Sequence, residues 1–339
     1  MTLTEFSYQI RKFGPFAVLG FVLFLIFFAI FQFVFTTARS RKPPSQPVFD
    51  IAFGPLDQIE VENNVNYPQD AKFVIDNIEG RPTTTTDSAR IYFLPSANTR
   101  FGYLQTITLM AQAVGFDTRF VSHELEDAQA IFEDDTKKLS VNIKSFNFEF
   151  KTNFEENPSI FDDPDIPAEQ AVVETARNFL RRMNRYPDKL AQGPTSVVYL
   201  RYDETIEDFE KVETANEANV VEVDFFRPDT DGLPMVPPKY FNSQNFVVIV
   251  FQKNGNKVIK AQVKFFRKDD ETVGKYPIKT GDAAWDELIA GKALIVSSGQ
   301  NTNNITIREM FLAYLDPATY QRFLQPVYVF LGDNGFVAY

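Results

Sequence analysis

The sequence predicts an α+β protein: a single N-terminal transmembrane helix, then two antiparallel-sheet lobes with amphipathic helices packed on them. Three observations lead there. Phe13 to Ala38 is a run of twenty-six residues without a charge, nine of them Phe. At 1.5 Å per residue such a run crosses about 30 Å of hydrocarbon with some tilt. Beyond it, short β-type runs alternate with stretches of helical periodicity, and a composition 44% hydrophobic and 15% aromatic supplies material for real cores.

Taken in order, residues 1–12 form a short tail and residues 13–38 the membrane helix, carried by Phe13, Phe16, Phe21, Phe24, Phe27, Phe28, Phe31, Phe33 and Phe35. The run exceeds the about 7–15 apolar residues of a cleavable signal, and Thr37-Ala38-Arg39 is a poor cleavage site, so an uncleaved anchor is expected. Gly14, Ala17 and Gly20 leave one side small and Gln32 can hydrogen-bond, which suits contact with a second helix. Arg39, Arg41 and Lys42 form a basic collar for anionic headgroups. Arg11 and Lys12 put basic residues on the other side too, but long domains translocate largely regardless of charge. The expected placement is the cell membrane, with a cytoplasmic N-terminus and the bulk of the chain extracytoplasmic.

Residues 39–50 continue as a Pro-rich spacer. Residues 51–156 read as a first lobe, with strands at 71–76, 89–94 and 128–133 and a helix over 101–114 that Gly115 closes. Residues 138–151 alternate well enough for one long strand, with a bulge at Ser145. Residues 157–167, with three prolines and Asp162, Asp163 and Asp165, read as a linker with little to bury. The second lobe, 168–339, repeats one plan of helix then strands in units 168–270 and 280–339. Its first helix starts after Pro167 and runs to about Met183. Strands follow at 196–202, 218–226, 245–252 and 257–266, the last two joined at Lys253-Asn254-Gly255-Asn256. A second helix starts at Thr280 and stops at Gly291, before strands at 292–297, 304–315, 325–331 and 335–339, with a short helical turn opened by Asp316-Pro317.

A short tail, a membrane helix and helix-plus-strand units resemble the YycI/YycH-type regulators, whose units are similar to the PepSY-like fold. The stretch that carries the likeness runs from Trp285-Asp286-Glu287-Leu288 and Gly291 through Met310-Phe311-Leu312-Ala313-Tyr314 and Gln325-Pro326-Val327-Tyr328-Val329-Phe330 to Phe336-Val337-Ala338-Tyr339. The resemblance implies a bacterial membrane-anchored protein that restrains an envelope sensor kinase and has no catalytic residues.

The residues agree with a protein that has no chemistry of its own. Zero Cys and a single His123 remove thiolate nucleophiles and the usual zinc sites. His123 reads as a loop histidine. Asp229-Thr230-Asp231-Gly232 opens like a calcium loop but lacks its distal ligands, so it reads as a β-turn. The acids Asp203, Glu204, Glu207, Asp208 and Glu210 read as a solvated loop, and Trp285 as a core residue. Charge excludes more. The net −11 is uneven, because Glu5, Arg11 and Lys12 leave +1 on residues 1–38 and −12 on the rest. An acidic body repels phosphate backbones, so no nucleic-acid partner is expected. The expected function is a non-enzymatic interaction or regulatory module for another envelope or membrane protein, without a cofactor. The alternatives are a wall- or surface-polymer-binding protein and, further off, a carboxylate-based hydrolase.

Overall fold

Apolar and polar residues alternate with period two along much of the chain, and the backbone answers that pattern with sheets. The structure, a computed structural model, describes residues 19–32, 49–59, 61, 65–68, 71–99, 101–299 and 304–339. Residues 19–32 form helix α1. The body then begins with β1 (Lys72–Ile75), β2 (Ser88–Phe93) and α2 (Tyr103–Ala113). A meander follows: β3 (Glu124–Glu126), β4 (Gln129–Asp134), β5 (Lys137–Asn142) and β6 (Phe148–Thr152). Helix α3 (Glu169–Arg182) and the single turn α4 (Asp188–Ala191) lead into β7 (Thr195–Asp203), β8 (Asp208–Lys211) and β9 (Val220–Phe225). Then come β10 (Met235–Val236), β11 (Phe246–Gln252), β12 (Gly255–Val263), β13 (Val273–Pro277) and α5 (Gly281–Ile289). The remaining strands are β14 (Ile295–Ser298), β15 (Asn304–Leu315), β16 (Phe323–Leu324), β17 (Pro326–Gly332) and β18 (Phe336–Ala338).

These strands make three sheets. Nine antiparallel strands run in the order β3-β4-β5-β6-β12-β11-β9-β7-β8, and three in the order β13-β2-β16. The six-stranded sheet has the order β1-β15-β17-β18-β14, with β10 on β15. Both β1 and β10 pair with β15 in parallel.

This architecture corrects the expected one. The protein is mainly β, and the two predicted lobes do not exist as such. Strand β6 pairs with β12, so residues on both sides of the predicted linker share one sheet. In the same way β1, from the first predicted lobe, lies against the far end of β15. Residues Phe49–Tyr339 cluster as one unit. The linker itself is packed: its Phe161 and, just before it, Phe154, both buried, sit on Tyr202, with Phe161 stacked at 4.4 Å. Its prolines and acids mask these aromatic residues in the sequence. The long strand predicted over 138–151 is a hairpin, because Asn142 takes the backbone N–H groups of Lys144 and Ser145 on its side chain and turns the chain. Asp316 opens no helical turn.

The single transmembrane helix is also corrected. Among the described residues no helix is long and apolar enough to cross a membrane. Residues 19–32 of the predicted span are helical, and residues 13–18 and 33–38 lie outside the described residues.

Amphipathic patterning places the cores. Val172, Val173, Ala176, Phe179 and Leu180 of α3 pack with Ile107, Met110 and Ala111 of α2 on one face of the nine-stranded sheet. Val247, Ile249 and Phe251 of β11 point into that core, while Val248 and Val250 point into a second one around Phe154 and Phe161. Burial on both faces explains why β11 is apolar almost throughout. On the six-stranded sheet, Ala284 and Leu288 of α5 pack against Ile305, Ile307 and Phe330.

Polar groups are buried where the large sheets meet. Arg227, just past β9, donates to the Asp316 carboxylate just past β15 at 2.9 Å, with side chains only 4% and 6% exposed. Nearby, Asp224 is fully buried; burial, followed by the charge of Glu222, pushes its pKa up to about 8.

Two outcomes follow from these buried charges. Asp316→Ala leaves Arg227 without its partner and should destabilise the fold by about 3–5 kcal/mol, measured by denaturant unfolding; a loss near that of a surface substitution refutes the pairing. Asp224 keeps its proton in the folded state at neutral pH but is ionised in the unfolded chain above about pH 4. Its stabilisation is therefore complete below that pH and lost as pH rises towards 8. Asp224→Asn should become more stable relative to wild type across this window, by up to about 1.4 kcal/mol per pH unit. Parallel stability curves for the two proteins refute it.

Candidate functional site

The predicted site residues scatter. Phe21, Phe24, Phe27, Phe28 and Phe31 lie on α1 with exposed side chains, and Phe24 stacks on Phe28 at 6.2 Å. Gly20 and Gln32 are also on α1. Phe13, Phe16, Phe33, Phe35, Gly14, Ala17, Arg39, Arg41 and Lys42 lie outside the described residues. His123 packs its ring 5.4 Å from Phe132 in the loop before β3. Glu210 of the acidic run pairs with Arg201 across the β7–β8 hairpin at 2.9 Å, and Asp203 caps the turn by accepting from the Thr205 N–H. Trp285 is partly buried, 6.3 Å from Phe330. Asp229 to Gly232 do form a turn, with Thr230 and Leu233 exchanging backbone hydrogen bonds.

That turn does more than reverse the chain. Asp231 accepts from the Tyr92 hydroxyl at 2.6 Å, from the Tyr314 hydroxyl at 3.3 Å and from Arg90 at 3.1 Å. Burial, then the hydrogen bond to Asp231, pushes the Tyr92 phenol up to about 12. The Lys268 ammonium lies 4.1 Å over the Tyr92 ring. Arg90, Tyr92, Asp231 and Lys268 line a cavity of about 550 Å³ whose cations Arg90, Lys189, Arg227 and Lys268 are matched by Asp229, Asp231, Asp270 and Glu271. It is a self-neutralised cluster.

A larger cavity, about 1080 Å³, lies between several chain segments, Gln129 of β4 among them. The loop after β2 supplies Asn98 and Thr99, the β5–β6 turn supplies Phe146 and Asn147, and the end of α3 supplies Arg185. The segment after β12 adds Lys264 to Arg267, and the segment after β15 adds Tyr320. Each wall has a local cause. Asn184 takes a positive φ of 52° and ends α3, and the Arg185 N–H returns to the Leu180 carbonyl at 2.9 Å, which fixes the Arg185 backbone. Phe146 also adopts a positive φ of 58°, uncommon for a bulky side chain, held by its N–H to Asn142.

The 264–267 wall is nailed by buried amides. Asn147 accepts from the Phe265 N–H at 3.1 Å and Asn245 from the Lys264 N–H at 2.9 Å. Gln244 donates to the Lys264 and Pro317 carbonyls. Arg227 donates to the Phe266 carbonyl at 2.9 Å and lies 4.7 Å over the Phe265 ring. Asn147 also accepts from Arg185 at 2.9 Å. Such a wall is set before any ligand arrives.

None of these residues was singled out from the sequence. Arg185 follows two other arginines at a helix end, where a capping role is the ordinary reading. The amides come from strands far apart in the chain, and only their burial sets them off.

Comparison with known proteins places the chain in no family. No family model matches it, and no curated protein does. Among the solved structures that are similar is an uncharacterized protein from Eubacterium rectale, at a TM-score of 0.37 and 15% identity, over 79% of this chain and 87% of that one.

The Asp231 cluster makes its own expectation. Asp231→Asn keeps the turn but removes the charge that three donors share, and should cost about 1–3 kcal/mol in thermal or denaturant unfolding. An unchanged midpoint shows that the cluster holds nothing together.

Proposed function

We propose that this protein is a non-enzymatic binding module at a cell envelope. Its Phe-rich N-terminal stretch associates with the membrane, and the body, on the extracytoplasmic side, engages and regulates another envelope protein. The observation that carries this reading is the large cavity with its prefixed walls: about 1080 Å³ of space bounded by amides, hydroxyls and aromatic rings. Ligand sites are of this size, and their polar groups fix orientation. The resemblance to membrane-anchored kinase regulators supports the regulatory role. A surface polymer is the second reading, favoured by the pairing of aromatic rings with amides in the lining, since sugars use both.

Co-purification from mild detergent tests the first reading. The full chain should retain a stoichiometric partner, and Tyr320→Ala, at the exposed rim of the cavity, should reduce it. A chain that elutes alone in both forms overturns the protein-partner reading, and capture by purified wall polymer then selects the second.

A further inference from the structure

The charge of the larger cavity runs against that of the protein. The chain carries a formal net charge of −11. Yet Lys144, Arg185, Lys264 and Arg267 all line this cavity, and none of its described lining residues is Asp or Glu. The smaller cavity shows the ordinary solution, in which four cations face four acids. Concave walls of low dielectric concentrate the field of such a cluster, so the larger cavity draws anions despite the acidic surface around it.

Arg185 decides what the cavity is for. Its guanidinium is largely buried, and burial alone pushes its pKa down to about 10. One nitrogen donates to the Asn147 side-chain oxygen at 2.9 Å. Its Nε has no hydrogen-bond partner. A buried cation without a carboxylate costs stability, because it has left water and gained only a neutral acceptor. The remedy would be small. An Asp in place of Asn147 would keep an oxygen towards both Arg185 and the Phe265 N–H while supplying the missing charge. Instead the fold holds a neutral amide there and leaves the positive charge uncompensated inside the cavity.

We propose that this cavity binds an anionic, hydroxyl-rich ligand, a sugar bearing carboxylate or phosphate groups, with Arg185 as its central anchor. This rests on the second reading of the binding module, a surface polymer, and names the ligand class of that same site. Lys144 and Arg267, both exposed, meet further anionic groups at the rim. Asn98 and Thr99 face the hydroxyls, and the exposed Tyr320 ring offers a stacking surface for the sugar. An Arg fork holds a planar carboxylate or a phosphate through two hydrogen bonds, more strongly than it holds an amide.

Isothermal titration and thermal unfolding of the full chain test this with three probes: an oligogalacturonate, its methyl ester and inorganic phosphate. The ester removes the charge while keeping the sugar rings and their hydroxyls, and phosphate separates the two anion types. At least one anionic probe should bind and raise the unfolding temperature, while the ester does not. Arg185→Gln should weaken that binding roughly tenfold or more without lowering the stability of the free protein. Asn147→Asp should weaken it similarly and stabilise the free protein, and Lys253→Gln, on the exposed β11–β12 turn, should leave it unchanged. Equal binding of acid and ester, or undiminished binding by both Arg185→Gln and Asn147→Asp, overturns the anionic class. If no probe binds but a partner still co-purifies, this inference falls and the binding module stands. If neither occurs, both fall.

Discussion

The buried ion pair between Arg227 and Asp316 is the constraint on which the arrangement of the sheets depends. Arg227 leaves β9 of the nine-stranded sheet and Asp316 leaves β15 of the six-stranded sheet, so the pair bonds two sheets that share no strand. Neither charge can be withdrawn to water without parting the sheets. Burial pushes the Asp316 carboxyl up, and the guanidinium beside it opposes that rise. The pair tolerates its desolvation because Arg227 also finds the Phe266 carbonyl and the Phe265 ring. Apolar surfaces can slide past one another at small cost, whereas a buried charge has one satisfactory position.

The same pair shapes the cavity. By holding Phe265 and Phe266, Arg227 fixes the wall that Gln244, Asn245 and Asn147 complete from other strands. Buried polar groups need partners of defined geometry, so they specify a surface more narrowly than hydrocarbon does. This part of the fold also carries its unsatisfied atoms: Gln244 Oε1, Asn245 Nδ2, Asp224 Oδ2 and Arg185 Nε. Of these residues Arg185 lines the larger cavity, and each unpartnered buried polar atom costs stability that an apolar seam would keep.

Individual elements were far more legible in the sequence than their assembly. The helices at Glu169–Arg182 and Gly281–Ile289 follow from apolar spacing, and Thr280 caps the second as its hydroxyl suggests. The strand Asn304–Leu315 lies where alternation places it. Residues 138–151 failed because two short strands and a tight turn can carry the same alternation as one long strand. The segment 157–167 failed because proline and aspartate count as loop residues whether or not Phe161 beside them is buried. Of the site, only the turn at Asp229–Gly232 was legible, and its three donors come from residues 90, 92 and 314.

By itself the sequence determined which segments coil or extend, the uneven charge and the lack of thiols, because these depend on neighbours along the chain. Tertiary structure alone decided that one sheet spans both predicted lobes and that β1 and β10 lie parallel to β15. It also decided that four cations share a cavity with no Asp or Glu among its described lining residues. Strand partners and charge neighbours are chosen across hundreds of residues by burial and by hydrogen bonds that must close. No local pattern records which distant oxygen will meet Arg185 or Arg227.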